Sequence, residues 1–254
     1  MQIVGKIAVI TGGASGMGAQ TALYLSERGA KIAILDKDEE AAQKIASQIH
    51  GLAVKCNIVD EKEVEEAFKQ IQENIGIPQI CINCAGIAPA KRIVGREGPM
   101  PLSDFKKVIE VNLIGTFNVL RVAAALMMEV EPIDSDQERG VIINTASIAA
   151  YEGQIGQCAY SASKGGICSL TLPAARELGQ HNIRVVTIAP GLFQTPLLES
   201  LPQEVQDGLA LNITFPPRFG QPIEYAMLAS HIIENSYING AVLRLDGGLR
   251  MQAK

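Results

Sequence analysis

Apolar positions along the chain fall into short continuous runs, and longer stretches of mixed apolar and polar residues separate these runs. The short runs have the length of buried strands, and the mixed stretches have the periodicity of helices. The pattern predicts strands at residues 5–10, 31–35, 51–58, 78–83, 140–147, 183–188 and 241–245. It predicts helices at residues 17–28, 38–49, 61–73, 102–128 and 160–178.

This regular alternation of strands and helices indicates an α/β fold. The strands are apolar throughout, as in a parallel sheet that helices cover on both faces. Neither a linker nor a repeat interrupts the 254 residues, so we predict a single domain over 1–254. A dinucleotide-binding part would cover about 1–100, and a catalytic and substrate-binding part about 101–254.

A glycine-rich turn, TGGASGMG, directly follows the first predicted strand. Gly12, Gly16 and Gly18 allow a sharp turn and a close approach to a ligand, and a helix starting near Gly16 points free N–H groups at an anion. Asp36 closes the second strand about 20 residues later, where a carboxylate binds the ribose of a dinucleotide. The fold is therefore predicted to be Rossmann-like and doubly wound, with about seven strands.

Asp36 also bears on the choice of cofactor. Its carboxylate would accept hydrogen bonds from both ribose hydroxyls and would repel a 2′-phosphate, which favours NAD over NADP. Lys37 lies beside it and is a cation that could favour a phosphate. We expect the carboxylate to decide, so the predicted cofactor is NAD.

A serine, a tyrosine and a lysine are the candidate catalytic residues. Ser147 ends the fifth predicted strand, Tyr160 follows thirteen residues later, and Lys164 lies one helical turn beyond Tyr160. A neighbouring ammonium would lower the pKa of the phenol toward working pH. By itself this spacing also fits ordinary packing and helix capping. The catalytic interpretation is favoured because ligands bind at the carboxyl ends of parallel strands, where these residues are expected.

Other polar and small residues also follow strands at this edge. Asn83, Ala85 and Gly86 form a turn that could pass close to a cofactor or could be a simple tight turn. Asn112 lies within an apolar helical stretch, so it is either a satisfied buried amide or a part of the site.

Composition excludes several functional classes. The net charge of −5 argues against nucleic-acid binding. The chain has no run of about 18 uncharged apolar residues, so we expect no membrane span. Five cysteines without a predicted leader peptide fit reduced thiols in the cytoplasm. Cys81 and Cys84 form a C-x-x-C without a second pair or a histidine cluster, so we expect no metal.

Taken together, TGGASGMG, NCAG, Asn112, Ser147, Tyr160-x-x-x-Lys164 and PGLFQT resemble the short-chain dehydrogenase/reductase superfamily along the whole chain. Within it, segments such as VIINTASIAAYEGQIGQCAYSASKGGI and NGAVLRLDGGLRMQ are similar to the 3-hydroxyacyl-CoA dehydrogenase type 2 group. The resemblance implies NAD-dependent interconversion of 3-hydroxyacyl-CoA and 3-ketoacyl-CoA, in fatty-acid or branched-chain acyl degradation, by a homotetramer.

The resemblance also implies roles for single residues. Tyr160 would be the general base, Ser147 would hold the substrate oxygen, Lys164 would bind the nicotinamide ribose, and Asn112 would support a water relay from Lys164. Asn57 stands where the family usually has an aspartate that contacts adenine. The implied cofactor-binding set is Gly12, Ser15, Gly16, Met17, Gly18, Asp36, Asn57, Ile58, Asn83, Ala85, Gly86, Tyr160, Lys164, Pro190, Gly191 and Thr195.

Substrate recognition has less specific signals. We expect Ser147, Tyr160, Gln154 and Gln157 at the substrate, with helix capping as the alternative for the two glutamines. Long segments at 91–101 and 129–139 resemble insertions of the acyl-CoA group. Lys91, Arg92 or Arg96 could meet the CoA phosphates, and solvated loop charge is the alternative. Two other functions stay open: a hydroxysteroid or other secondary-alcohol dehydrogenase, and a cofactor-binding interaction subunit.

Overall fold

The fold is that of a computed structural model, which describes residues 1–132, 136–195, 198 and 203–253. It contains strands β1 to β9 at Ile7–Thr11, Lys31–Asp36, Leu52–Lys55, Ile80–Asn83, Val94–Gly95, Gly98–Pro99, Gly140–Thr145, Ile183–Pro190 and Val242–Leu245. Seven of them form one parallel sheet in the order β3-β2-β1-β4-β7-β8-β9. The predicted α/β doubly wound fold is confirmed.

The helices α1 to α9 span Gly16–Glu27, Glu39–Gln48, Glu61–Asn74, Leu102–Ile109, Gly115–Met127, Ala149–Glu152, Cys158–Gly179, Gln203–Ala210 and Pro222–Glu234. Two of them begin where an aspartate accepts hydrogen bonds from the first turn. Asp38 accepts from the N–H of Ala41, and Asp60 accepts from the N–H groups of Lys62 and Glu63. These caps satisfy N–H groups that otherwise have no partner.

Several predicted boundaries were wrong. β3 ends at Lys55, three residues early, because the chain turns at Asn57, whose side chain accepts a hydrogen bond from Val59 N. The predicted helix 102–128 is interrupted by a π-helical turn at Glu110–Ile114. Residues 91–101, predicted as a loop, contain the β5–β6 hairpin.

The last long helix, α9, was not predicted. Pro222 occupies its first turn, and Gln221 and Glu224 form a capping box around its start. Tyr225, Ala229 and Ile232 are buried on the face that joins the core beside α1. The helix therefore forms because its apolar face packs onto the sheet layer.

Alternate residues of each strand face opposite sides of the sheet, as the pleat requires. Ile10, Ile34 and Ile82 belong to one buried cluster, which includes residues of α1 and α9. Val9 and Leu35 belong to a second cluster on the other face, which includes residues of α3, α5 and α7. Two covered faces leave the two ends of the sheet for binding.

One helical stretch, Leu102–Met127, has the length and the hydropathy that a membrane span requires, with a mean hydropathy of 1.4. Half of it is buried inside the fold. Its α5 part packs on β4 and β7, so its apolar residues belong to the core.

Candidate active site

A cleft of about 1330 Å³ lies at the carboxyl ends of the central strands. It collects eleven residues of the predicted cofactor set. These are Gly12, Ser15, Gly16, Met17, Gly18, Asp36, Asn57, Ile58, Ala85, Gly86 and Thr195. The convergence expected from strand topology is therefore present in the structure.

The glycine turn packs closely against the turn that follows β4. A Cβ atom on Gly12 would lie 2.7 Å from Ala85 N, and one on Gly18 would lie 2.3 Å from the carbonyl oxygen of Gly12. Gly12 and Gly16 also have positive φ values of 64° and 54°. Ser15 precedes α1 but makes no side-chain cap, so the first turn of the helix keeps N–H groups for an anion.

Asp36 accepts hydrogen bonds from two backbone N–H groups, one through each oxygen. Ala14 N donates to Oδ2 and Asp38 N donates to Oδ1, each at 3.1 Å. Within the described residues, no lysine or arginine forms an ion pair with this carboxylate, Lys37 included. The rim of the cleft therefore carries an anion that no cation neutralises.

Asn83 was predicted to contact the cofactor, but its side chain is buried in the sheet. Its Nδ2 donates to Asn144 Oδ1 at 2.9 Å, and its Oδ1 accepts a long hydrogen bond from Thr11 Oγ1 at 3.5 Å. It therefore ties β4 to β7 and β1. The prediction is wrong for this side chain, and the neighbouring residues Ala85 and Gly86 line the cleft instead.

Pro190 and Gly191 also lie outside the lining of this cleft. The carbonyl of Pro190 accepts from Ile148 N at 3.0 Å. Gly191 passes Asp246 so closely that a Cβ would lie 2.9 Å from Asp246 Cα. Pro190 therefore holds the end of β8 against the segment that carries Ser147, and Gly191 holds it against the end of β9.

Asn57 and Ile58 reach the cleft because β3 ends early. The Asn57 side chain uses its Oδ1 to accept from Val59 N at 3.3 Å, and its backbone N–H donates to Glu63. A second lone pair on Oδ1 can still accept from an adenine amino group.

Asn112 is completely buried in the π-helical turn. Its amide makes two hydrogen bonds with the backbone of Ile87, and its Nδ2 also donates to Ser163 Oγ at 3.0 Å. Ser163 Oγ in turn donates to the carbonyl of Tyr160. The side chain thus joins the turn after β4 to the helix that carries Tyr160. Turns of this type recur at functional sites.

Lys164 is buried, and its Nζ donates to the carbonyl of Thr145 at 2.7 Å. Burial lowers the pKa of Lys164 from 10.5 to about 8, while Cys84 and Cys168 act in the opposite direction. Nζ lies 5.8 Å from the centre of the Tyr160 ring. The pair therefore shares one face of α7, as predicted.

Burial raises the pKa of Tyr160, and a hydrogen bond with Ser147 lowers it. The prediction that Lys164 lowers this pKa is not confirmed, because desolvation is the largest effect on the phenol and Lys164 is absent from its causes. Ser147 Oγ accepts from Ala149 N at 3.1 Å, so its own proton can be donated. Ser147 follows β7 by two residues instead of ending it.

Gln154 and Gln157, predicted at the substrate, do not line this cleft, and neither do Ser147, Tyr160 and Lys164, which lie behind its wall at Gly86. Gln154 Nε2 donates to the carbonyl of Gln252, and Gln157 Oε1 accepts from Gln154 N. Gln157 is the residue before α7, but its side chain does not cap that helix. Both side chains instead fold the loop on itself and onto the C-terminal segment. Gly156 and Ala159 reach the cleft in their place.

The cations of segment 91–101 differ in their surroundings. Lys91 lines the cleft and pairs with Asp104. Arg92 and Arg96 are exposed on the hairpin and form no ion pair within the described part of the chain. Of the other predicted insertion, 129–139, residues 133–135 lie outside the described residues.

Three contributors to this site were not predicted: Thr145, Ser163 and Tyr225. Ser163 lies three residues after Tyr160, a spacing that places both on one face of a helix and could have indicated it. Thr145 acts through its backbone carbonyl, and Tyr225 comes from the unpredicted helix α9. Neither of them has a local sequence signal.

A model of the short chain dehydrogenase family matches residues 6–206 of this chain. The chain belongs to the short chain dehydrogenase family. It is 50% identical to the 3-hydroxyacyl-CoA dehydrogenase type-2 of Rattus norvegicus over 98% of this chain and 97% of that protein. It is 44% identical to the protein of that name from Drosophila melanogaster, over 98% and 99% of the two chains.

A solved structure carries the same name. The crystal structure of 3-hydroxyacyl-CoA dehydrogenase type-2 from Mycobacterium avium superposes with a TM-score of 0.94 at 40% identity, over 98% of both chains. Membership of the short chain dehydrogenase family implies a nicotinamide cofactor. The uncapped start of α1, the close glycine turn and the Asp36 carboxylate fit such a dinucleotide.

Proposed function

We propose that this short chain dehydrogenase is NAD-dependent and interconverts 3-hydroxyacyl-CoA and 3-ketoacyl-CoA. The main support for this proposal is that Ser147, Tyr160 and Lys164 lie together beside a cleft suited to a dinucleotide. The chain is also 50% identical to a dehydrogenase of that name. NAD, when bound, supplies the hydride acceptor. The protein supplies positions, charges and the proton acceptor.

The chain's own residues divide the work of oxidation. Tyr160 takes the proton of the substrate hydroxyl, and Ser147 donates its hydroxyl proton to the same oxygen and keeps it in place. Lys164, held by the Thr145 carbonyl, keeps two further N–H groups that can reach the ribose hydroxyls of the cofactor. In reduction, Tyr160 returns the proton to the carbonyl oxygen.

The role of Asn112 also belongs to this proposal. Both Nδ2 hydrogens and one lone pair of Oδ1 are engaged with Ile87 and Ser163, so the side chain acts by fixing the wall of the site around Lys164. A Cβ atom on Gly86 would lie 3.1 Å from Asn112 Oδ1 and 3.5 Å from Lys164 Nζ. A water relay from Lys164 would therefore pass this glycine, where no side chain fills the space.

Unpaired Asp36 supports NAD over NADP. A 2′-phosphate at this position would meet an anion that no lysine or arginine of the described residues neutralises. Arg92 and Arg96 support a CoA substrate, because both are unpaired cations on the hairpin that starts at the rim of the cleft. Lys91 is less suited to this role because Asp104 already neutralises it.

A substrate panel tests the reaction. Initial rates are measured with NADH or NADPH across acetoacetyl-CoA, longer 3-ketoacyl-CoAs and a ketosteroid. We expect turnover of acetoacetyl-CoA with NADH and much slower turnover with NADPH. If the enzyme turns over a ketosteroid more efficiently than every acyl-CoA, the substrate assignment is wrong. The assignment as a dehydrogenase would still hold.

The CoA contact is tested with Arg92→Gln/Arg96→Gln. We expect the KM for acetoacetyl-CoA to rise by about three- to tenfold, the effect of losing charge-assisted hydrogen bonds, with the KM for NADH unchanged. Lys62→Gln/Lys69→Gln on the exposed side of α3 removes the same charge away from the cleft and serves as the control. Equal KM values in both double variants would contradict the contact.

We propose a homotetramer as the working assembly. Large apolar side chains remain exposed on two neighbouring long helices of the monomer, among them Phe117 on α5 and Leu172 on α7. Such exposed apolar surface is typical of a subunit interface. Light scattering after size exclusion gives the mass directly, and a monomeric or dimeric mass at micromolar concentration would contradict this assignment.

A further inference from the structure

Two buried hydroxyl groups and one half-buried thiol form a closed ring of hydrogen bonds at the base of the cleft. Thr145 Oγ1 donates to Cys84 Sγ at 3.8 Å, and the Cys84 thiol donates to Tyr225 Oη at 3.7 Å. Tyr225 Oη and Thr145 Oγ1, 2.7 Å apart, close the ring. In this arrangement each of the three groups donates once and accepts once.

Each member of this ring comes from a different part of the site. The carbonyl of Thr145, at the end of β7, holds Lys164 Nζ. Cys84 begins the turn after β4 and lines the cleft. Tyr225 has no exposed surface and reaches the ring from α9, 80 residues away from Thr145 in the sequence.

The hydroxyl of Tyr225 orients the neighbouring side chains, which apolar packing alone would not do. A phenylalanine would fill almost the same volume, but only a hydroxyl fixes the rotation of the Thr145 side chain and its distance to Cys84. Because Thr145 and Tyr225 are buried, loss of either hydroxyl leaves the other without its full set of partners.

We propose that Tyr225 is a positioning residue for this reaction. Through Thr145 it holds the carboxyl end of β7, and with it Lys164, against the turn after β4. Tyr225 does not line the cofactor cleft and reaches it only through Cys84. This inference rests on the proposed function, in which Lys164 acts from a fixed position.

Tyr225→Phe and Thr145→Val test the proposal from both ends of the shared hydrogen bond. Thr145→Val keeps the backbone carbonyl that holds Lys164. We expect kcat to fall by about three- to tenfold in each variant, while KM for the carbonyl substrate stays within twofold. The double variant should lose less than the sum of the two single losses, because both single variants remove the bond between Thr145 and Tyr225.

The control is Thr187→Val. Thr187 Oγ1 lies 2.6 Å from Thr171 Oγ1 in a hydroxyl pair that is equally buried but joins β8 to α7 away from Lys164. We expect this variant to lower the melting temperature as much as Tyr225→Phe does, with kcat unchanged. The comparison separates loss of stability from loss of positioning.

Two results would overturn the proposal: a kcat within twofold of wild type in Tyr225→Phe or Thr145→Val, or additive losses in the double variant. If only one of the two single variants folds, its kcat decides. All ratios are taken on the best substrate of the acyl-CoA and ketosteroid panel. If acetoacetyl-CoA is not a substrate, the wild-type chain shows this, and the result is distinct from a failure of the positioning proposal.

Discussion

The amide of Asn112 and the backbone of Ile87 form a reciprocal pair of hydrogen bonds. Asn112 Nδ2 donates to the carbonyl of Ile87, and Asn112 Oδ1 accepts from the N–H of Ile87, both at 2.8 Å. The side chain thereby fixes the backbone of the turn that follows β4. It closes the wall of the cleft just beyond Gly86.

Asn112→Ala should destabilise the protein and lower its activity. The change leaves the N–H and the carbonyl of Ile87 and the hydroxyl of Ser163 without this partner in a buried setting. We expect a loss of about 3 kcal/mol in the free energy of unfolding, measured by urea titration, and a kcat reduced at least tenfold.

The control for this prediction is Asn239→Ala. Asn239 Oδ1 accepts from Val185 N near the amino end of β8, so its loss removes a similar side-chain-to-backbone bond far from the cleft. It should lower stability and leave kcat unchanged. Full activity in Asn112→Ala would show that the wall closes without the amide.

Tyr160→Phe should abolish most of the turnover and preserve binding of NADH. Removing the phenol removes the proton acceptor, an effect of about 10²–10⁴ in kcat, while the cradle for the dinucleotide stays intact. Tyr237→Phe, at a fully exposed phenol with 98% exposure, is the matched control and should behave as wild type. Residual activity above one tenth in Tyr160→Phe would assign the proton to another group.

Lys164 should make stability rise with pH. Its pKa is about 8 in the folded chain and 10.5 in the unfolded chain, so between these values the unfolded chain binds more protons. The free energy of unfolding therefore increases from about pH 8 to 10.5 through this residue. Below pH 8, where both states are charged, this residue adds no pH dependence, and the full cost of burying its charge is present.

Lys164→Met provides the comparison, because methionine does not titrate. We expect the difference in unfolding free energy, wild type minus variant, to grow over this pH range with a slope of up to about 1.4 kcal/mol per pH unit. Urea titrations at four pH values measure it. A flat difference would mean that the lysine keeps its ordinary pKa in the folded chain.

Asp36→Ser should relax the preference for NADH. Loss of the carboxylate removes hydrogen bonds to the ribose and the repulsion of a 2′-phosphate, so the NADH to NADPH ratio of kcat/KM should fall by about tenfold or more. Glu40→Gln removes one exposed charge of α2 outside the cleft and should leave the ratio unchanged. An unchanged ratio in Asp36→Ser would place cofactor selection elsewhere.

Gly18→Ala should eliminate cofactor binding. The added Cβ would lie 2.3 Å from the carbonyl oxygen of Gly12, and that contact is backbone, so the turn must move. Gly208→Ala in α8 adds the same methyl where nothing lies within 4 Å and should bind NADH normally. Titration of NADH fluorescence compares the two, and normal affinity in Gly18→Ala would refute the tight turn.

The sheet, its carboxyl edge and the positions of Ser147, Tyr160 and Lys164 could be predicted because each depends on local signals. Apolar runs specify the strands, and a spacing of four residues places the phenol and the lysine on one face of a helix. Asp36 and the glycine turn likewise follow their strands directly.

Contacts between distant segments could not be predicted in this way. The long-range partners of Asn83, Gln154 and Lys164 are Asn144, Gln252 and Thr145, and no sequence spacing links the two members of these pairs. Both glutamine side chains turned away from the cleft because polar backbone groups near them needed partners. The pKa of Tyr160 depends on burial, which only the packed structure shows.

The π-helical turn at Glu110–Ile114 makes the number of residues in this stretch as important as their identity. Such a turn contains one residue more than an α-helical turn, and each residue of an α-helix rotates the next by about 100°. Deleting one residue here would restore a regular helix and point position 112 away from Ile87. Relatives that differ in length should therefore vary in the hairpin before α4 and keep this stretch free of insertions and deletions.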